Sequence, residues 1–190
     1  MPPALDDVYI GFSTTRLWLS RAIRWLTRSR FSHCWVRHPS SVWGGTWVTH
    51  ADWPVVRQWP WETASAAWTV EQLYRPRFDI RPALQAVRSD FEQPYDLLGL
   101  FGMAYVLFML RWFGRVVKNP IADHRRMFCS EFVAHIFKVA QLPDTESWEP
   151  CQLTPQALEA YCADHPELFE KIADDGGVPL RTLGRRRRAA

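Results

Sequence analysis

Cys129 lies in the run MFCSEFVAHIF, whose apolar residues Phe132, Val133, Ile136 and Phe137 recur at helical spacing. A cysteine in the first turn of such a helix meets unpaired N–H groups and the positive end of the helix dipole, both of which favour an anion. A thiol there loses its proton more readily, and the thiolate is the nucleophilic form. On local sequence alone the plainer reading is a small buried hydrophobe among Phe and Val. What would change that reading is a base beside the sulfur.

Two histidines offer one. His33 lies in FSHCWV, where Ser32, Cys34 and Val36 alternate with His33, Trp35 and Arg37 across a predicted strand. His50 lies in WVTHADW on a predicted returning strand. A turn centred near residues 41 and 42 makes His33 and His50 cross-strand neighbours on one face, and a slip of one residue separates them. Asp52 shares the His50 face and is an alternative group to orient the base. Either histidine taken alone reads as an ordinary structural side chain. His38, His124, His135 and His165 have no comparable setting. In EQPYDLLG, Tyr95 and Asp96 follow a helix-ending proline. The Tyr95 hydroxyl could donate to an oxyanion, or serve a turn structurally.

The elements that would position these groups follow from pattern. Val8–Phe12 reads as a first strand, and Thr14 or Thr15 as the cap of a helix running to Thr27, with Arg21, Arg24 and Arg28 opposite its apolar side. Phe31–Arg37 and Trp47–Trp53 read as a hairpin across Pro39, Ser40, Ser41, Gly44 and Gly45, with a third strand over Ala67–Tyr74. Pro82 opens a short helix, Leu97–Val117 reads as an apolar helix, and Thr154-Pro155 is a cap and first-turn pair for a helix to Tyr161. Early hairpin-linked strands followed by helices predict an α+β fold with an antiparallel sheet and the Cys129 helix packed against it.

Composition bounds the class. The 190 residues make one domain on length, and 47% hydrophobic with 23% charged excludes a disordered chain. Residues 1–176 are expected to form the domain, and 177–190 a mobile basic tail. Arg185–Arg188 supply four of the charges behind the net +3, leaving about −1 elsewhere. Between Val8 and Ala51 stand six arginines and no acid, a solvated face or a contact for an anionic membrane or nucleic acid. The arginine tail lacks interleaved aromatics for base stacking, which weighs against nucleic acid. Nine of eleven tryptophans precede residue 70. Trp35, Trp47 and Trp53 flank the two histidines and are expected to help wall a cleft.

Cys34, Cys129, Cys151 and Cys162 show no CxxC spacing, and the amino terminus shows no basic stretch followed by an apolar one. Free thiols in a reducing cytoplasm are the expectation. The apolar run Leu97–Leu110 falls short of the roughly 20 residues a spanning helix needs. No HxxxH or CxxC pair offers metal-ligand spacing, and no cofactor is expected.

The ordered pieces FSHCWV, a strand ending in THA, QPYD, FCSEFVA and LTPQAL resemble the circularly permuted branch of the NlpC-type papain-like cysteine hydrolases, the YiiX/YaeF-like group in particular. The match covers Val8 to Ala163, and SRAIRWLTRSRFSH resembles that group's helix leading into a Ser-His strand. The resemblance implies a papain-like, circularly permuted fold with Cys129 as nucleophile, His33 as base and Tyr95 as an active-site hydroxyl near the oxyanion. The third polar position, commonly a glutamate before an alanine in that group, holds His50 before Ala51. The implied activity is cysteine-dependent hydrolysis of an amide or ester in a peptide, isopeptide or lipid substrate. Alternatives are a lipid-directed acyltransferase or thioesterase, and a non-catalytic module that binds membrane or nucleic acid on the same scaffold.

Overall fold

The computed structural model describes residues 8–15, 18–40, 44–52, 55–87, 102, 105–106, 108–109, 112–115, 117–118, 120 and 127–172. Six strands form one sheet: β1 (Tyr9–Thr14), β2 (His33–Pro39), β3 (Thr46–Asp52), β4 (Val55–Pro60), β5 (Thr69–Pro76) and β6 (Phe169–Ile172). Their order is β4-β3-β2-β1-β5-β6, and every neighbouring pair is antiparallel. The helices are α1 (Trp18–Thr27), α2 (Trp61–Ala67), α3 (Arg81–Ala86), α4 (Cys129–Val139) and α5 (Pro155–Asp164). The fold is α+β, with helices packed against an antiparallel sheet. Among the described residues no helix is long and apolar enough to cross a membrane.

Alternation along the strands builds two cores, one on each face of the sheet. On one face Ile10, Phe12, Cys34, Val36 and Ala51 meet Phe132, Val133, Ile136 and Phe137 of α4. On the other, Trp35, Val48, Trp68, Val70 and Leu73 meet Ala64 of α2. Helix α4 is buried around most of its circumference, from Cys129 through Ala134 and again at Ile136 and Phe137. It ends where Gln141 takes a left-handed φ of 54°. There Leu142 N–H reaches the Phe137 carbonyl at 3.2 Å and Gln141 N–H the Lys138 carbonyl at 3.0 Å. This is a Schellman closure, and its two apolar members, Leu142 and Phe137, both lie in the core. At α5 the expected cap forms: Thr154 Oγ1 accepts from Ala157 N–H at 3.1 Å, with Pro155 in the first turn.

Several elements depart from the sequence reading. The first strand runs on through Thr14, so Thr14 caps no helix; its hydroxyl donates to Glu71 Oε1 at 3.3 Å. Strand β4 and helix α2, which run from Val55 to Ala67 on either side of Pro60, occupy a stretch that pattern alone left almost wholly unassigned. Strand β4 is an edge strand with Pro60 as its last residue, where a missing N–H does little harm. Strand β6, on the other edge, buries only Phe169 among its four residues and so carries little pattern. The expected 97–117 helix lies largely outside the described residues, although those described between 102 and 113 are helical. Tyr95, Asp96, Trp53 and the 177–190 tail lie outside them altogether.

Candidate active site

Cys129 is the first residue of α4, after Phe128 in extended conformation. Its sulfur therefore sits against the unpaired N–H groups of the first turn. Helix α4 packs on β2, and this brings Cys129 to residues almost a hundred positions earlier in the chain. Its Sγ lies 3.9 Å from the Ser32 carbonyl. The Cys34 thiol and backbone N–H and the His33 imidazole are also close enough to act on the sulfur. The Cys34 donor is the largest influence holding the Cys129 thiol well below its usual range, against burial, which pushes it up; His33 adds to the lowering. Cys34 moves the opposite way: burial, then its bond to Cys129, pushes its thiol up. The opposite shifts make Cys129 the more acidic thiol of the two and Cys34 the donor toward it.

His33 is where the two cores meet. It acts on Cys129 of the α4 core, and its ring lies 4.8 Å from that of Trp68 in the tryptophan core. Its Nε2 stands 3.2 Å from Nδ1 of His50, with the two rings nearly perpendicular at 87°. With Nε2 so engaged, Nδ1 is the ring nitrogen left for the sulfur. Strand register explains the pairing. Val36 is opposite Thr49 and Arg37 opposite Val48, which shifts the hairpin by two positions from a turn centred at 41 and 42. A shift of two preserves the face. His33 and His50 thus meet diagonally across the ladder instead of directly opposite.

His50 is fully buried, whereas His33 and Cys129 retain 8% and 5% exposure. Burial first, then the neighbouring His33 and Arg57, hold the His50 imidazole well below its ordinary range. It is therefore held in its neutral form. Its Nε2 has no hydrogen-bond partner among the described residues. Around it stand the indoles of Trp59 and Trp68, whose centroids lie 4.9 and 4.8 Å from the His50 ring. Trp68 stacks on both Trp59 and Trp35. The cage is thus made by Trp59 and Trp68, with Trp35 behind. Trp47, expected here, instead donates its N–H to the Gly44 carbonyl at the hairpin turn.

Asp52, the alternative partner for the base, pairs with Arg57 at 2.9 Å with 42% of its side chain exposed. Its place beside His33 is taken by His50. His38, on the opposite strand face from His33 and His50, is bonded to Thr49 Oγ1 at 2.8 Å. The contribution of Cys34 was missed in the sequence, though a signal was present. Alternation puts Cys34 on the face opposite Trp35, and that face must receive the Cys129 helix.

Among the described residues no group of three His, Cys, Asp or Glu side chains could hold a metal ion. The arrangement can do nucleophilic chemistry: an acidic thiol at a helix start, an imidazole beside it, and a second, neutral imidazole holding the first. No family model matches the chain, and no curated protein is significantly similar to it.

Proposed function

We propose that this protein is a cysteine-dependent hydrolase of amide or ester bonds, working through a thioester at Cys129, on a circularly permuted papain-like fold. The observation that carries the reading is the continuous contact Cys129–His33–His50, with the sulfur at a helix N-terminus and the outer imidazole buried. The antiparallel sheet with the histidine strands ahead of the cysteine helix in the chain is what a permuted papain-like order requires.

Cys129 thiolate attacks the carbonyl carbon of the substrate, while His33 holds the proton taken from the thiol. As the tetrahedral intermediate collapses, His33 gives that proton to the leaving amine or alcohol, and an acyl thioester remains. His33 then takes a proton from water. The hydroxide attacks the thioester, the carboxylic acid departs, and the proton returns to sulfur. The backbone N–H of Cys129 is the candidate donor to the oxyanion. The resemblance adds the Tyr95 hydroxyl there. His50 touches neither sulfur nor substrate; it orients His33.

The test is labelling with an acyl-donor thiol probe at neutral pH, followed by peptide mass mapping. Acylation of Cys129 in preference to Cys34, Cys151 and Cys162, lost in His33→Ala, is the expected result. Cys151 is the most exposed of the four, so exposure and activation predict different sites. Equal slow labelling of all four, or labelling led by Cys151, overturns the proposal. A screen of peptide, isopeptide and lipid amides and esters with the wild-type protein then assigns the substrate, with Cys129→Ala as the inactive control.

A further inference from the structure

We propose that the outer face of α1 is a docking surface for an anionic lipid bilayer. Trp18 and Trp25, two turns apart on one side of this helix, are each 76% exposed. Neither has a hydrogen-bond or ring partner among the described residues, whereas Trp35 and Trp68 are buried in the core. Between and beside them Arg21, Ala22 and Arg28 are exposed as well. No acidic residue occurs in α1, or anywhere from Val8 to Ala51.

Indole and guanidinium together fit a membrane interface. An indole has an apolar body and one N–H, and it settles at the level of the headgroups. Arginines alongside are drawn to anionic lipid phosphates. Nucleic acid fits less well, because base stacking needs aromatics spaced along a groove, and this is one convex helix.

The helix is held so that its tryptophan side faces out. Ser20, on its inner side, shares a 2.6 Å hydrogen bond with the buried Ser32 hydroxyl. Its end is fixed by Arg28 at a left-handed φ of 51°, with Ser29 N–H bonded to the Arg24 carbonyl at 3.1 Å. Ser32 in turn has its carbonyl 3.9 Å from the Cys129 sulfur. The inner side of the helix thus borders the candidate site, and its outer side carries the docking face. The proposal itself holds whether or not Cys129 is a nucleophile.

The experiment is co-sedimentation of the full chain with vesicles of phosphatidylcholine alone or mixed with phosphatidylglycerol. Binding to the mixed vesicles only is expected. Trp18→Ala/Trp25→Ala should weaken it by about tenfold or more, as expected for loss of buried aromatic surface. Arg21→Ala and Arg28→Ala should each weaken it about fivefold. Unchanged far-UV circular dichroism shows that the variants fold. Failure of the wild type to bind mixed vesicles overturns the proposal, as does equal binding by the double tryptophan variant. So does binding that disappears when Arg185–Arg188 are removed with Trp18 and Trp25 intact. Binding to duplex DNA or to an acidic polypeptide without vesicle binding overturns it in favour of that partner.

Discussion

His33 Nε2 and His50 Nδ1 stand 3.2 Å apart inside a wall of indoles, and only one of the two rings reaches solvent. For Nδ1 of His33 to accept a proton from sulfur, its Nε2 must carry hydrogen and donate it to His50 Nδ1. His50 then bears its own proton on Nε2, the nitrogen with no hydrogen-bond partner among the described residues. The surroundings thus select one tautomer of His50, and through it the working tautomer of His33.

Removing that acceptor should misorient the base. In His50→Ala the rate of Cys129 acylation is expected to fall about a hundredfold, within the usual worth of positioned acid–base catalysis. His50→Asn retains an acceptor for His33 Nε2–H and should recover much of the loss. Asp52→Asn should leave acylation unchanged and cost under about 1 kcal/mol in stability, because its partner is the half-exposed Arg57. Single-turnover labelling with urea titration checks all three. An Asp52 effect as large as that of His50 would transfer the orienting role to Asp52.

Cys34 holds the thiolate through its own thiol. Cys34→Ala removes that donor and leaves the backbone N–H and His33. The pH at which Cys129 is half labelled by iodoacetamide should therefore rise relative to wild type. An unchanged or lower midpoint would show that the Cys34 thiol does not support the anion.

His50 also makes stability depend on pH. Its folded imidazole resists protonation, while in the unfolded chain it returns to about 6.5. The unfolded state then binds the extra proton, so stability is full above about pH 6.5 and declines below it, by about 1.4 kcal/mol per pH unit for one such group. Burial pushes His38 the same way. Urea unfolding followed from neutral to mildly acidic pH should show this slope, and His50→Asn should show a shallower one. A variant with the wild-type slope would place the acid sensitivity elsewhere.

Gly11 lies opposite Trp35 in the β1–β2 ladder, and a Cβ there would fall 2.2 Å from the indole. Trp35 has little freedom to yield, since its N–H donates to Ser13 Oγ at 3.1 Å and its ring stacks on Trp68. Gly11→Ala should therefore destabilise the protein by about 1–3 kcal/mol. That corresponds to roughly 2–4 °C of Tm per kcal/mol. The double variant Gly11→Ala/Trp35→Leu should cost less than the two singles added together, because they share one clash. Strict additivity in thermal melts would refute the close approach.

Much of this was legible locally. Alternation in FSHCWV and WVTHADW put both histidines on one face, and Thr154-Pro155 marked a helix start to the residue. What was hidden depended on partners distant in the chain. The two-residue offset between β2 and β3 belongs to the hairpin as folded, and it was harmless only because strand parity is two. The edge strands β4 and β6 carry weak patterns because half of each faces away from the core. The indoles around His50 come from Trp59 and Trp68, on elements the local pattern blurred. Trp18 and Trp25 recur at helical spacing, the mark of an apolar side set opposite the arginines, yet they face solvent together with Arg21 and Arg28; spacing gives a helix its stripe but does not say which side the sheet receives.

The sulfur of Cys129 and the carbonyl of Ser32 are 97 positions apart in the chain. The two histidines are separated by only 17. The imidazole pair therefore belongs to a hairpin that closes cheaply, whereas the acidic thiol exists only once α4 has docked. A growing or cleaved chain without that helix holds a base with nothing to act on, and an isolated α4 holds an ordinary cysteine. Reactivity is thus a property of completion. The labelling rate of one sulfur can serve as a clock for the docking of α4.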